Sequence, residues 1–181
     1  MRIILIGMKG CGKTTLGTLL AEKLQISFID SDTEIEKTHG REKDEAISFR
    51  QIFKKYGEKY FRVLETRTLK HIAKEFGNTD FVFACGGRTP LQEENQEILP
   101  GLGKIIFLNV EKDVLLKRIL AQGIPAFFPY QGDPDRSLDE LLMERVPAYK
   151  KLADVTIDAS EGTSEELVHT IMTELKDYDK N

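Results

Sequence analysis

The sequence predicts an α/β protein built in three layers. A central five-stranded parallel sheet carries helices on both faces, and a mobile lid interrupts the second half of the chain. Two observations support this. Apolar runs of strand length alternate with helix-patterned segments throughout, and such alternation joins parallel strands through crossover helices. The first apolar run, Ile3 to Ile6, leads into a glycine-rich turn and then an amphipathic segment, the start of a strand–turn–helix unit.

Taken in order, the first strand is Arg2–Ile6 and the first helix runs from Lys13 to about Leu24, with Leu16, Leu19, Leu20 and Leu24 on one face. A short strand at Ser27–Ile29 ends in Asp30-Ser31-Asp32. Residues 33–76 read as mostly helical, with a charged break at His39–Glu45. Phe81–Ala84 is the third strand and Lys104–Val110 the fourth. Glu111–Gln122 is helical, with Val114, Leu115, Arg118 and Ile119 in register. Gln122–Arg136, rich in glycine, proline and aromatic residues, is the lid loop. Ser137–Leu152 forms a helix, Val155–Ile157 the fifth strand and Ser164–Leu175 a closing helix. Open parallel sheets bind ligands outside the carboxyl ends of their strands, which directs attention to loops 7–13, 30–33, 85–90 and 122–136.

Composition narrows the class. The chain has 181 residues, of which 40% are hydrophobic and 31% charged, with a net charge of −4. Those values suit one folded domain over 1–181 and argue against disorder. A mildly acidic chain lacks the broad basic field of a nucleic-acid binder, so an anionic ligand has to meet a local basic pocket. Cys11 and Cys85 make no disulfide framework or metal motif, and His39, His71 and His169 are scattered. No apolar run approaches the roughly 20 residues that span a bilayer, and the Ile3–Ile6 run meets a glycine-rich turn instead of a leader cleavage site. A cytoplasmic monomer without nucleic-acid or membrane partners is expected.

Gly7-Met8-Lys9-Gly10-Cys11-Gly12-Lys13-Thr14 matches G-x-x-x-x-G-K-[ST] in full. Glycines let successive backbone N–H groups curl around phosphate oxygens, and the following helix adds its N-terminal partial charge. Lys13 supplies positive charge to the β and γ phosphates, and the Thr14 hydroxyl is a magnesium ligand. Gly10, Cys11, Gly12, Lys13, Thr14 and Thr15 are therefore the candidate nucleotide set, with a nucleoside triphosphate and Mg²⁺ as expected ligands. A chance match is the alternative, and the strand–turn–helix context weighs against it. Cys11 reads as a small filler, with redox chemistry as the other reading. The Asp30-Ser31-Asp32 turn also has two readings. One carboxylate holds magnesium while the other binds an acceptor hydroxyl, or Ser31 or Asp32 caps the next helix.

Over nearly its whole length the chain resembles the shikimate kinase family, P-loop kinases that phosphorylate a small cyclic hydroxy acid with ATP. The resemblance rests on GMKGCGKTTLG, FIDSDTEIE, GEKYFRVLE, the CGG at 85–87, ERVPAY and ADVTID. It implies a P-loop kinase fold with a substrate-covering helical segment at about 32–62 and a lid at about 122–136. It also implies roles for individual residues. Asp30 belongs to the magnesium site, and Asp32 binds the substrate hydroxyls beside the attacking oxygen. Arg62 and Arg145 hold the substrate carboxylate, Gly86 and Gly87 close over the substrate, and Arg118 lies against adenine. An arginine fork suits a carboxylate, although Glu58 and Glu65 are possible helical partners of Arg62.

Three positions depart from the family pattern. Arg88 stands where the third glycine of the turn is usual, and it either crowds the acceptor, contacts its anionic groups or points to solvent. Ile124 precedes Pro125 where the lid usually carries an arginine, leaving Arg136 and Arg88 as candidate substitutes. Phe127, Phe128 and Tyr130 form either a dry cover or a loop anchor. Glu42–Ile47 is a charged insertion, either a solvated turn or a change to the acceptor pocket. The resulting expectation is ATP-dependent phosphorylation of shikimate. The alternatives are a kinase for another hydroxylated acid or sugar acid, and a non-catalytic ATP-binding regulator.

Overall fold

The computed structural model describes residues 1–178, with side chains to Lys176. Strand β1 (Arg2–Ile6) lies at its centre, with Ile3 to Ile6 fully buried. An unbroken apolar run is what a parallel strand covered on both faces requires. It pairs in parallel with β3 (Phe81–Ala84) on one side and β4 (Lys104–Asn109) on the other. Outside these, β2 (Ser27–Asp30) pairs with β3 and β5 (Val155–Asp158) with β4. The resulting order, β2-β3-β1-β4-β5, describes one five-stranded parallel sheet. Its two edge strands keep solvent-exposed positions.

The helices are α1 (Lys13–Leu24), α2 (Ser31–Lys43), α3 (Phe49–Phe76), α4 (Glu93–Leu102), α5 (Lys112–Leu120), α6 (Pro134–Leu152) and α7 (Ser164–Tyr178). The Leu16–Leu20 face of α1 is buried against the sheet. Strand and helix bounds agree with the sequence pattern to within a few residues at most ends. Helix α6 starts three residues early because Asp133 caps it and Pro134 presets its first turn. Helix α4 and the 3-10 turn Thr89–Leu91 had no counterpart in the sequence pattern. Pro100 and Gly101 in the last turn of α4 mask its helical character. No helix among the described residues is long and apolar enough to cross a membrane.

The expected break at His39–Glu45 falls later, between α2 and α3. Helix α2 continues through His39 because that side chain is fully buried. Its Nδ1 lies 2.9 Å from the Tyr60 hydroxyl and its Nε2 3.2 Å from the Glu45 carboxylate. Glu45 also accepts hydrogen bonds from Tyr56 (2.7 Å) and Lys55 (2.5 Å), which hold its pKa down to about 2. Glu42 pairs with Arg67 at 3.0 Å. The charged insertion is thus tied to α3 at two points. Beneath it, Ile35, Ile52, Phe61 and Leu64 form a small core of their own. Ser48 and Gln51 make a capping box that starts α3. Gly57 then kinks the helix at φ 79°, ψ 172°, a conformation suited to glycine, just before the turn that carries Arg62.

Two glycines near β4 should respond to alanine with opposite signs. A Cβ on Gly103 would lie 2.4 Å from the Arg2 carbonyl oxygen of β1, whereas one on Gly101 meets nothing within 4 Å. Gly103→Ala is expected to cost about 1–3 kcal/mol or more through overpacking. Gly101→Ala, inside α4, should stabilise by about 0.5–1 kcal/mol. Thermal unfolding of the two variants should show a clear fall in Tm for the first and a small rise for the second.

Candidate active site

Strand register brings three loops to one edge of the sheet. Leu5 of β1 and Asp30 of β2 both stand opposite Ala84 of β3, and the Cys85 amide donates to the Leu5 carbonyl at 3.0 Å. The residues following each strand are therefore neighbours: the Gly7–Thr14 loop, the Asp30–Asp32 turn and the Cys85–Gly87 turn.

The phosphate loop has the expected form. Gly12 caps α1 at φ 99°, and neither a side-chain cap nor an acidic residue occupies the first turn. The helix terminus is left as a cationic end with unclaimed N–H donors. The Lys13 ammonium donates to the Gly7 and Met8 carbonyls at 3.0 and 2.9 Å. Cys11 is buried, and a Cβ on Gly7 would come within 2.8 Å of its sulfur, which supports the filler reading. Thr15 is exposed in the first turn of α1. Arg118 on α5 donates to the Ala159 and Ser160 carbonyls at 3.0 and 3.1 Å. It stands beside Gly10, where a Cβ would lie 3.9 Å from its own.

In the Asp30-Ser31-Asp32 turn the structure corrects the capping residue. Asp30, rather than Ser31 or Asp32, caps α2: its Oδ1 accepts from the Asp32 and Thr33 amides at 2.9 and 3.4 Å. Its Oδ2 accepts from the Thr14 hydroxyl at 3.2 Å. Asp30 thus joins the acceptor-side turn to the phosphate loop. Thr14 and Asp30 supply a hydroxyl and a carboxylate oxygen side by side, a donor set that fits magnesium. No cluster of three or more metal-ligating side chains occurs among the described residues. A magnesium ion here would keep waters and phosphate oxygens in its shell, as that ion normally does. Asp32 is largely buried, and its pKa is pushed up to about 6, first by burial and then by Asp30, against the pull of Lys13.

The glycine turn separates the phosphate loop from Arg145. A Cβ on Gly87 would lie 3.6 Å from the Gly7 carbonyl oxygen and 3.7 Å from Arg145 Nη1. Gly87 is itself held by a hydrogen bond from the buried Tyr149 hydroxyl to its carbonyl. Arg145, on α6, is only 4% exposed. Arg62 donates through Nη1 to Glu65, and its Nε lies 3.5 Å from Glu58.

Two residues in the site were not singled out in the sequence for it. In the sequence Glu65 is marked only as a helical partner of Arg62. It is buried beneath Gly86, accepts from Thr89 (2.8 Å) and Gln92 (3.3 Å), and has a pKa raised by burial. Its spacing from Arg62 in the helix was the available signal. Lys9 sits at a variable position of the phosphate loop. Its pKa is lowered by burial and by Arg50, with Asp32 opposing. A lysine inside a loop that binds phosphate was its only mark.

The lid packs across the opening. Phe128 is buried as its anchor, while Phe127 is 41% exposed. The Lys9 ammonium and the Arg145 guanidinium both lie over the Phe127 ring, at 5.7 and 5.6 Å from its centroid. The aromatic run is therefore both anchor and cover. Ile124 points outward, 46% exposed. Arg136 stacks on Tyr130 at 4.0 Å, donates to its hydroxyl at 3.2 Å and lies 3.8 Å from Glu140, all at the base of the lid. Arg88 lies between Glu58 and Glu144, at 3.6 and 3.3 Å. The Cys85 thiol is buried, with its pKa raised to about 12.

Comparison with known proteins gives a consistent result. A family model described as "Shikimate kinase" matches residues 9–176. The shikimate kinase of Thermobifida fusca is 36% identical over 173 residues, covering 95% of this chain and 93% of that protein. That of Thermodesulfovibrio yellowstonii is 36% identical over 178 residues, covering 98% and 95%. Among solved structures, the shikimate kinase from Acinetobacter baumannii in complex with shikimate superposes with a TM-score of 0.85. It has 32% identity and covers 98% of this chain and 93% of that one. The enzyme from Aquifex aeolicus gives 0.79 at 32% identity, covering 100% and 99%.

The raised pKa of Asp32 has a consequence for stability. An unfolded aspartate ionises near 3.9, so folding penalises the charge of Asp32 fully above about pH 6 and not at all below pH 4. Without nucleotide or magnesium, Asp32→Asn should stabilise the fold at pH 8 by at most about 3 kcal/mol. Denaturant unfolding should show this gain fading between pH 6 and pH 4.

Proposed function

The chain belongs to the shikimate kinase family, and we propose that this pocket transfers the γ-phosphoryl group of ATP to a hydroxyl of shikimate, giving shikimate 3-phosphate and ADP. The supporting observation is the position of Gly87, a side-chain-free seam with the phosphate loop on one side and Arg145 on the other. Across that seam a phosphate donor and a carboxylate-bearing acceptor would lie close together.

The chemistry assigned to each residue follows from its place. Gly10 to Thr15 cradle the phosphates through backbone N–H groups, and Lys13 leaves the Gly7 and Met8 carbonyls to neutralise charge on the transferring group. Thr14 and Asp30 would hold magnesium, which supplies further charge neutralisation across the phosphates. Arg118, with its guanidinium fixed by two carbonyls, presents a planar cation to adenine. Arg62 and Arg145 grip the acceptor's carboxylate, and Gly86 and Gly87 allow its ring to lie against backbone. Asp32 binds the attacking hydroxyl. As that oxygen bonds to the γ-phosphorus, the bond to the β-bridging oxygen breaks, ADP leaves, and the hydroxyl proton passes to Asp32. Phe127 and the lid exclude water. We read Arg136 as a lid anchor, since each of its partners lies at the lid base. We take the protein to act as a monomer in the cytoplasm.

A coupled ADP-release assay tests the assignment: ATP turnover should depend on shikimate, and turnover that shikimate leaves unchanged would rule it out. Arg62→Ala and Arg145→Ala should each raise the KM for shikimate about 10- to 150-fold, the equivalent of roughly 1.5–3 kcal/mol for a charged hydrogen bond, with the KM for ATP little changed. Because Asp32 must be ionised to accept the proton, kcat/KM for shikimate should fall about tenfold per pH unit on the acid side of the Asp32 titration in the nucleotide-bound enzyme and level off on the basic side.

A further inference from the structure

Arg88 replaces a hydrogen with a long cation at the rim of the glycine turn, yet its guanidinium does not enter the seam. It lies between two glutamates, 3.6 Å from Glu58 Oε1 and 3.3 Å from Glu144 Oε1. Each glutamate is also the partner of one of the two acceptor-binding arginines. Glu58 lies 3.5 Å from Arg62 Nε, and Glu144 lies 3.5 Å from Arg145 Nε. A chain of alternating charge therefore runs from α3 to α6 in the order Arg62, Glu58, Arg88, Glu144, Arg145, with Arg88 at its midpoint. Both glutamates meet their arginine through Nε and leave the outer nitrogens of that fork to other partners. Arg62 uses one of these for Glu65.

We infer that Arg88 is a positioning residue for acceptor binding: it holds Glu58 and Glu144 away from the carboxylate-binding edges of Arg62 and Arg145. The inference rests on the reading of those two arginines as the acceptor's carboxylate ligands. Without Arg88, each glutamate has its neighbouring arginine as the nearest cation. A swing of the side chain then lets its carboxylate pair with the same nitrogens that an incoming substrate carboxylate needs. Arg88 thus acts through the glutamates and need not touch the substrate. Exposed ion pairs contribute little to stability, so the effect belongs to affinity for the acceptor and not to the fold.

Titration calorimetry with shikimate tests this on the full chain. Arg88→Ala should weaken shikimate binding roughly tenfold, within the range of coupled neighbours. In turnover the KM for shikimate should rise by the same factor, with kcat and Tm nearly unchanged. Adding Glu58→Gln and Glu144→Gln to Arg88→Ala should restore affinity to near the wild-type value, because a neutral amide no longer competes for the arginines. Arg88→Lys should fall between wild type and Arg88→Ala, since a lysine retains the charge without the fork. Unchanged or tighter binding in Arg88→Ala overturns the inference. So does a loss that the two glutamines fail to rescue, which would mean that Arg88 meets the substrate directly. Absence of shikimate binding by the wild-type chain removes the functional reading and this inference together; wild-type binding with an unaltered Arg88→Ala removes the inference alone.

Discussion

The parallel register of three strands, which sets Leu5 and Asp30 against the same residue, Ala84, underlies the geometry of the pocket. Because those strands end level, the loops that follow them meet at backbone level, with the Gly87 Cα beside the Gly7 carbonyl and the Lys9 amide. Glycine also lets each loop fold tightly: a Cβ on Gly7 would strike both the Cys11 sulfur of its own loop and the Leu108 carbonyl of β4, and one on Gly86 would strike Thr89 in its own turn. The sheet is held by apolar burial of β1 and β3 on both faces. The forces that stabilise the core therefore also fix the spacing between the donor and acceptor sides of the site.

Electrostatics then set the character of that space. Asp30, Asp32 and Glu65 crowd one side, and burial raises the pKa of both Asp32 and Glu65. Carboxylates held this way are costly to charge, and the protein offsets the cost with Lys13 and Arg62 and with amides at the start of α2. The single carboxylate of Asp30 connects these effects. One oxygen caps a helix and the other meets the Thr14 hydroxyl, so the start of α2 is bonded directly to the phosphate loop. The net charge of −4 gives no hint of the local cations, with Lys9 and Arg145 both over the Phe127 ring.

The segment formed by α2 and the first half of α3 has its own internal logic. Its small core of Ile35, Ile52, Phe61 and Leu64 is separate from the main core under the sheet, and His39 and Glu45 stitch the inserted turn to α3. On the opposite rim, the lid is pinned by Phe128 and by the contacts of Tyr130, Ser137 and Arg136 at its base. Its tip, Phe127, rests between cations from the donor loop and from α6.

The sequence by itself determined the strand order of events along the chain, the phosphate loop and the acidic turn. These are short-range features: apolar runs of strand length, a leucine face on α1, and a motif whose glycines and lysine lie within eight residues. Local steric and hydrogen-bonding rules suffice to read them. Resemblance to a family added Arg62, Arg145 and the glycine turn, which no local rule separates from ordinary surface arginines and loop glycines. Only the tertiary structure decided which residue caps α2, that His39 is buried and carries α2 past the charged stretch, and that Pro100 and Gly101 close a helix. The same holds for Arg136, whose guanidinium stacks on Tyr130, and for Arg88, which bridges two glutamates 30 and 56 positions away in the chain. Each of these depends on a partner brought close by folding, and a side chain's role in a charged network is set by its nearest partners in space, which a linear order of residues does not specify.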